Sequence, residues 1–229
     1  MQYLTIKDAI AEQIESGMLE PGHKLPSERV LAESFSTTRI TLREALNYLA
    51  LAGKLYKEER RGWFVSKEAL IFNPAQELDI LKVCKQYNRG YTTERIDSKR
   101  ILAPKMVAER LGLPPFSYVL MFSRLVIIEG RKVAVQYQYL PEALFPSLAK
   151  MDEDIDVVSI LKDKYLSECQ NLCVKIGVFP ATEVESELLN ISSGSMLLNI
   201  NQSAINNNKT GYLLQVISCC HDAFEIEIE

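Results

Sequence analysis

The chain has 229 residues, of which 47% are hydrophobic and 24% charged, and a formal net charge of −4. That is a globular composition with room for two modest domains, and it excludes a fibrous or disordered chain. No apolar run approaches the roughly 20 residues that cross a bilayer, and Met1-Gln2-Tyr3-Leu4 is no basic-then-apolar leader, so a cytoplasmic protein without membrane contact is expected.

The five cysteines, Cys84, Cys169, Cys173, Cys219 and Cys220, are odd in number and irregularly spaced, which argues against a disulfide framework. Cys169-x3-Cys173 and Cys219-Cys220-His221 lack a second spaced pair to complete a tetrahedral set. Reduced packing cysteines are expected, with no metal and no cofactor. The negative total hides a local positive zone. Residues 1–66 carry nine basic and nine acidic residues, and residues 67–229 carry 17 and 21. Between Arg39 and Arg61, six basic residues face three acidic ones. A phosphate-binding surface needs only such local potential.

In chain order, Ile6, Ile10 and Ile14 recur at helical spacing and predict an amphipathic helix from Leu4 to Ser16, stopped by Gly17. Glu20-Pro21-Gly22 is a turn. A second helix opens at Leu25-Pro26-Ser27-Glu28, where Ser27 can cap and Glu28 suits the positive end of the dipole. Thr37 or Thr38 caps a third helix with Leu42, Ala45, Leu46, Leu49 and Ala50 as its inward stripe, and Gly53 ends it. Arg39 and Arg43, four residues apart, project from another face, with Thr41 near them. Two short strands, Lys54–Lys57 and Trp63–Val65, flank the basic turn Glu59-Arg60-Arg61-Gly62.

Helix, helix, turn, helix and hairpin is the plan of a winged helix-turn-helix. Arginine can pair bidentately with guanine, and threonine can meet a phosphate or a thymine methyl. The turn could reach the adjacent minor groove, where glycine permits close backbone approach.

The run Glu20-Pro21-Gly22-His23-Lys24-Leu25-Pro26-Ser27-Glu28-Arg29, then Leu31-Ala32 and Thr38-Arg39-Ile40-Thr41-Leu42-Arg43-Glu44-Ala45-Leu46, resembles the GntR family of regulators over residues 4–66. The resemblance implies DNA contacts at Ser27, Arg29, Thr38, Arg39, Thr41, Arg43, Arg61 and Gly62. The wing departs from the family pattern: a second Gly and a Thr are missing from Arg60-Arg61-Gly62-Trp63-Phe64-Val65, so a shorter tip is expected, with Trp63 as a packing residue.

Asn73-Pro74 interrupts a linker over 67–78, and a helix is expected over 75–88, ended by Arg89-Gly90. Pro104–Leu111 reads as a short helix stopped by Gly112. Tyr118–Ile128 and Lys132–Leu140 form a hairpin around Glu129-Gly130. Val157–Tyr165 is helical and Cys173–Ala181 extended. Thr182-x-x-Glu185 is a capping box before a helix ending near Asn190. Met196–Ile205, Gly211–Cys220 and Phe224–Glu229 are strands. Strands with interspersed helices predict an α+β domain on an antiparallel sheet. His23 and His221 have no nucleophile arranged around them and are expected to be structural or surface residues, and no acid–base pair supports an enzyme.

Ala108-Glu109-Arg110-Leu111-Gly112-Leu113-Pro114, Ser123-Arg124-Leu125 and Tyr139-Leu140-Pro141-x-x-Leu144-Phe145-Pro146 resemble the UTRA ligand-binding domain of the HutC branch of GntR regulators. The implied fold is chorismate lyase-like, and the implied effectors are sugar phosphates, amino acids or their derivatives. Arg124 matches a position that grips an anionic group, as a guanidinium fork can. Gln136 and Gln215 fall near family carboxylates, and Ser159 matches an anion-holding helix start. Val126 stands where the family often has a second arginine, and Cys220-His221-Asp222 replaces the usual closing Tyr-Arg-Gly-Asp. The implied layout is a DNA-binding domain at 1–66, a linker at 67–89 and an effector and dimerisation domain at 90–229. The implied function is a homodimeric repressor on double-stranded operator DNA, controlled by a small-molecule effector.

Overall fold

The computed structural model describes residues 2–148, 157–158, 171–205 and 211–228. Ser159, Cys169, most of the expected Val157–Tyr165 helix and the connection Asn206–Thr210 lie outside the described residues.

The N-terminal unit holds α1 (Gln2–Glu15), α2 (Glu28–Ser34), α3 (Arg39–Leu51), β1 (Leu55–Glu58) and β2 (Gly62–Val65). Its core joins Ile6 and Ile10 of α1, Ala32 of α2, and Leu42, Ala45, Leu46 and Leu49 of α3 to Leu55, Trp63 and Val65 of the hairpin. Leu42 and Leu46 are fully buried, each contributing about 1.5–3 kcal/mol relative to exposure. Trp63 packs as the sequence predicts. β1 and β2 pair antiparallel from Leu55↔Val65 to Glu58↔Gly62. The turn between them needs left-handed backbone: Arg60 has φ 62° and Gly62 has φ 104°, the latter open to glycine at little steric cost.

Residues 67–89 are more than a connector. β3 (Leu70–Phe72) pairs in parallel with β10 (Phe224–Ile226), and α4 (Ile80–Gln86) follows. The helix expected over 75–88 is therefore shorter, because Asp79 caps it by accepting from the Leu81 amide and Asn73-Pro74 starts a turn instead. The final strand, expected to run to Glu229, is three residues long.

The second unit is a six-stranded antiparallel sheet of β4 (Tyr91–Leu102), β5 (Tyr118–Ile128), β6 (Arg131–Pro141), β7 (Asn171–Pro180), β8 (Met196–Ile205) and β9 (Gly211–Cys220), in the order β4-β5-β6-β9-β8-β7. β4 has no counterpart in the sequence reading: its Glu94, Arg95, Asp97, Lys99 and Arg100 mask any apolar alternation, as suits an edge strand.

One face of the sheet is covered by α5 (Lys105–Leu111) and α6 (Glu183–Leu189). Thr182 and Glu185 complete the predicted capping box on α6. Gly211 lets α5 lie against β9, since a Cβ there would come within 2.6 Å of the Leu111 backbone. The other face carries two apolar clusters. One holds Val126, Ala134, Ile200 and Ile217 under Leu70, Phe72 and α4. The other holds Leu120, Leu140, Ala204 and Leu213 with Leu78, Phe145, Val157 and Val158.

Candidate DNA interface and effector site

The first turn of α3 is built by Thr38. Its hydroxyl accepts from the Thr41 amide at 3.2 Å and lies 3.0 Å from the Thr41 hydroxyl. Of the two capping threonines left open by the sequence, Thr38 is the one used. Ser27 caps α2 in the same way, accepting from the Val30 amide at 3.4 Å. Arg39 is exposed and makes no salt bridge among the described residues. Arg43 donates to Glu28 at 2.6 Å, so the expected pair is split: Arg43 is drawn toward α2 while Arg39 stays in solvent. Arg29 pairs with Glu33 at 2.9 Å. Arg61 pairs with Glu58 and lies over the Phe64 ring at 5.3 Å. The Arg29, Arg43 and Arg61 side chains remain 59–61% exposed. The Arg29–Glu33 pair is exposed on both sides and worth about 0–1 kcal/mol, so a phosphate can displace Glu33 at small cost, whereas Glu28 and Glu58 are only 18% and 8% exposed and hold their arginines more firmly.

Glu28 joins three elements. One carboxylate oxygen accepts from Arg43, and the other accepts from the Trp63 indole N–H at 3.0 Å. Burial opposes its charge, but the bonds from Trp63 and Arg43 outweigh burial and hold the carboxyl below its ordinary range. The recognition helix and the wing are thereby tied to the start of α2, a link the sequence reading missed by treating Glu28 only as a dipole residue.

On the sheet, Arg124, Gln136 and Gln215 come together. Arg124 Nε donates to the Gln136 side-chain oxygen, and the Gln136 amide donates to Gln215 Oε1 at 2.5 Å. Two further glutamines, absent from the sequence reading, complete the row. Gln138 donates to Gln215 at 2.7 Å, and Gln215 donates to Gln202 at 2.8 Å. Gln138↔Gln215 and Gln202↔Gln215 are register partners across β6, β9 and β8. Gln136, Gln202 and Gln215 are completely buried. The row ends on main chain just after β3: Gln215 donates to Leu78 O at 2.7 Å, and Gln202 to Pro74 O and Glu77 O at 2.8 Å.

The direction of these amides follows from their ends. Arginine only donates and backbone carbonyls only accept, so Gln136, Gln215 and Gln202 each turn the oxygen toward the Arg124 end and the nitrogen toward the residue 74–78 end, and Gln138 adds a second donor to Gln215. Arg95 of β4 is the register partner of Arg124, which puts two guanidinium-bearing residues side by side on this face. Gln136 and Gln138, two apart and set between the apolar residues Val135, Tyr137 and Tyr139 of β6, were the available signal for the missed members of the row.

The two units meet at Arg131. Its guanidinium lies 3.5 Å from the Tyr56 ring centroid and pairs with both oxygens of Asp222, at 2.6 and 2.8 Å. Ser66 also donates to Asp222, at 3.0 Å. The wing turn is held as well, since the Glu59 amide donates to Asn190 O at 2.7 Å. A cleft of about 420 Å³ beside this junction is lined by Arg61, Lys67, Arg89 and Arg131. Each of those cations is already paired, with Glu58, Glu129 or Asp222, so the cleft offers an anion no unmatched charge.

Cys84, Cys219 and Cys220 are buried, and burial raises their thiols, to about 11 for Cys84 and Cys220. Cys173 is exposed, which departs from the packing role expected of it. His221 lies 3.1 Å from Ala50 O. Among the described residues, no three His, Cys, Asp or Glu side chains are grouped to hold a metal ion, and no helix is long and apolar enough to cross a membrane.

Residues 86–225 match the UTRA domain, and residues 2–65 match the bacterial regulatory proteins of the gntR family. The chain belongs to the UTRA family and carries a DNA-binding domain of the bacterial gntR type at residues 2–65. It is similar to the HTH-type transcriptional repressor NagR of Bacillus subtilis (strain 168), at 27% identity over 92% of this chain and 86% of that protein. The uncharacterized HTH-type transcriptional regulator YurK of the same strain is 25% identical over 90% of this chain and 86% of its own length. Among solved structures, PhnF from Mycobacterium smegmatis superposes with a TM-score of 0.65 at 16% identity, covering 97% of each chain. The chain is thus a sequence-specific DNA-binding transcription regulator with an effector-binding UTRA domain.

Proposed function

We propose that this regulator is a repressor that acts as a homodimer. Two copies of α3 enter successive major grooves of a two-fold operator, with Arg39, Arg43, Thr38 and Thr41 at the base edges and adjoining phosphates. Ser27 and Arg29 meet the backbone, and Arg61 and Gly62 of the wing meet the neighbouring groove. The repressor assignment draws on the likeness to NagR. A small anionic metabolite, such as a sugar phosphate, binds over Arg124, with Gln136, Gln215 and Ser159 as further contacts.

The observation that carries the effector assignment is the Arg95–Arg124 pair at the head of a buried amide row. An anion lying over the two side chains can take a charge-assisted hydrogen bond from each guanidinium. The same row ends on carbonyls of residues 74–78, which follow the connection to the DNA-binding unit. A ligand that favours one position of that segment favours one placement of the two DNA-binding units, which is the differential contact that coupling requires.

The test is a thermal-shift screen against sugar phosphates, free sugars and amino acids, repeated with Arg124→Ala. A ligand at a hundredfold excess over its Kd stabilises by about 2.7 kcal/mol. The expected result is a shift for a phosphorylated ligand that Arg124→Ala abolishes and that accompanies release of DNA. A ligand that stabilises both proteins equally would place the effector elsewhere.

A further inference from the structure

Ile40 is a large apolar side chain that packing does not explain. The four core positions of α3, Leu42, Ala45, Leu46 and Leu49, are at most 2% exposed, whereas Ile40 is 81% exposed. At about 100° per residue, Ile40 lies on the side of the helix opposite the middle of that buried stripe. Helix formation does not call for it either, since a β-branched residue loses χ1 freedom and is a poorer helix former than alanine or glutamate. Capping is done by Thr38. Leu51 shares the outward face and is 75% exposed, but it borders a second cleft, beside His221 and Asp222, at the other end of the helix. Ile40 stands instead in the first turn, between Arg39 and Thr41.

We propose that Ile40 reads a thymine in each half of the operator by packing against its C5 methyl group. The inference rests on the proposed docking of α3 in the major groove and adds to it a residue that sets sequence preference. An isoleucine can neither donate nor accept a hydrogen bond, and the thymine methyl is the apolar feature that base pairs present in the major groove. A side chain pointing away from the core in the first turn of a docked helix is the one aimed most directly at the groove floor. Its stiff χ1 leaves little rotamer freedom to lose on binding. The polar readings fall to its neighbours on either side.

The test selects binding sites for the full-length protein from a random duplex pool, then replaces each thymine of the enriched site in turn by deoxyuridine. That change removes one methyl group and leaves the base pair intact. Affinities are measured by fluorescence anisotropy at fixed salt. One thymine per half-site is expected to respond, with about fourfold weaker binding per methyl lost. Ile40→Ala, which removes no packing, is expected to bind the thymine and deoxyuridine sites equally. Wild-type protein indifferent to every deoxyuridine, or Ile40→Ala with the full methyl effect, would overturn the proposal. Failure of the pool to enrich any sequence would instead overturn the DNA-reading role of α3, and this inference with it.

Discussion

In the DNA-binding unit the side chains assigned to recognition stand in water: Ile40 is 81% exposed, and the Arg29, Arg43 and Arg61 side chains are 59–61% exposed. In the sheet unit Gln136, Gln202 and Gln215 are fully buried and bonded in one direction. A macromolecular partner arrives with its own charges and grooves, so the protein need only keep suitable groups free to rearrange. A signal that must cross the protein needs groups that cannot move independently. Exposed polar groups cost little to change, while a buried donor or acceptor left unsatisfied costs about 1–3 kcal/mol.

The largest stability effect is expected at the junction between the two units. The Arg131 and Asp222 side chains are 16% and 4% exposed, and removing one partner of a buried pair costs about 3–5 kcal/mol. Arg131→Ala should lower the urea midpoint by a corresponding amount and raise amide exchange in β1 and Ser66. Unchanged exchange there would show that the wing is held without this arginine.

Next comes the amide row. Gln202→Leu deprives Pro74 O and Glu77 O of a donor, and a loss of about 1–3 kcal/mol is expected. Gln202→Glu sharpens the comparison, because a carboxylate repels those carbonyls whereas its acid form can donate to one. Exchange protection of residues 75–78 should then fall with rising pH in this variant and not in the wild type. Equal pH dependence in both would remove the row as the tether of that segment.

Thr38→Ala should destabilise by about 1 kcal/mol through loss of a helix cap, measured by chemical denaturation. Its effect on DNA binding should exceed what its effect on folding accounts for, since Arg39, Ile40 and Thr41 all sit in the turn it fixes.

The smallest effect concerns Glu28. Its carboxyl is held below the ordinary range in the folded chain. Its contribution is therefore fully present above the unfolded carboxyl pKa of about 4.3, and it is lost as pH falls through the lower folded value. The stability difference between wild type and Glu28→Gln should shrink over that acidic interval. A difference constant down to pH 2 would contradict the assignment.

The DNA-binding unit was legible because its signals are local. Ser27 and Thr38 cap the turn beside them, Gly53 lies just past the end of α3, and the apolar stripe of α3 repeats with the helix period. The same holds for the α6 capping box. What was not legible depends on pairing between distant strands. Gln202 and Gln215 are polar residues in ordinary strands until the β8–β9 register sets them opposite each other, and Arg95 meets Arg124 only through β4. The β3–β10 pair joins residues 70–72 to residues 224–226, so residues read as a linker and a terminal strand become one element. Arg124, Gln136 and Gln215 came from family resemblance, and their hydrogen-bonded chain came from the fold.

The most direct test of DNA reading by α3 is the affinity of wild type and the Arg39→Ala/Arg43→Ala protein for a duplex selected by the wild type. Each arginine–guanine contact is worth about 1–3 kcal/mol, so the double variant should lose at least about thirtyfold in specific affinity while it stays folded and keeps its oligomeric state. Equal affinity of the two proteins for the selected site would contradict base reading by this helix.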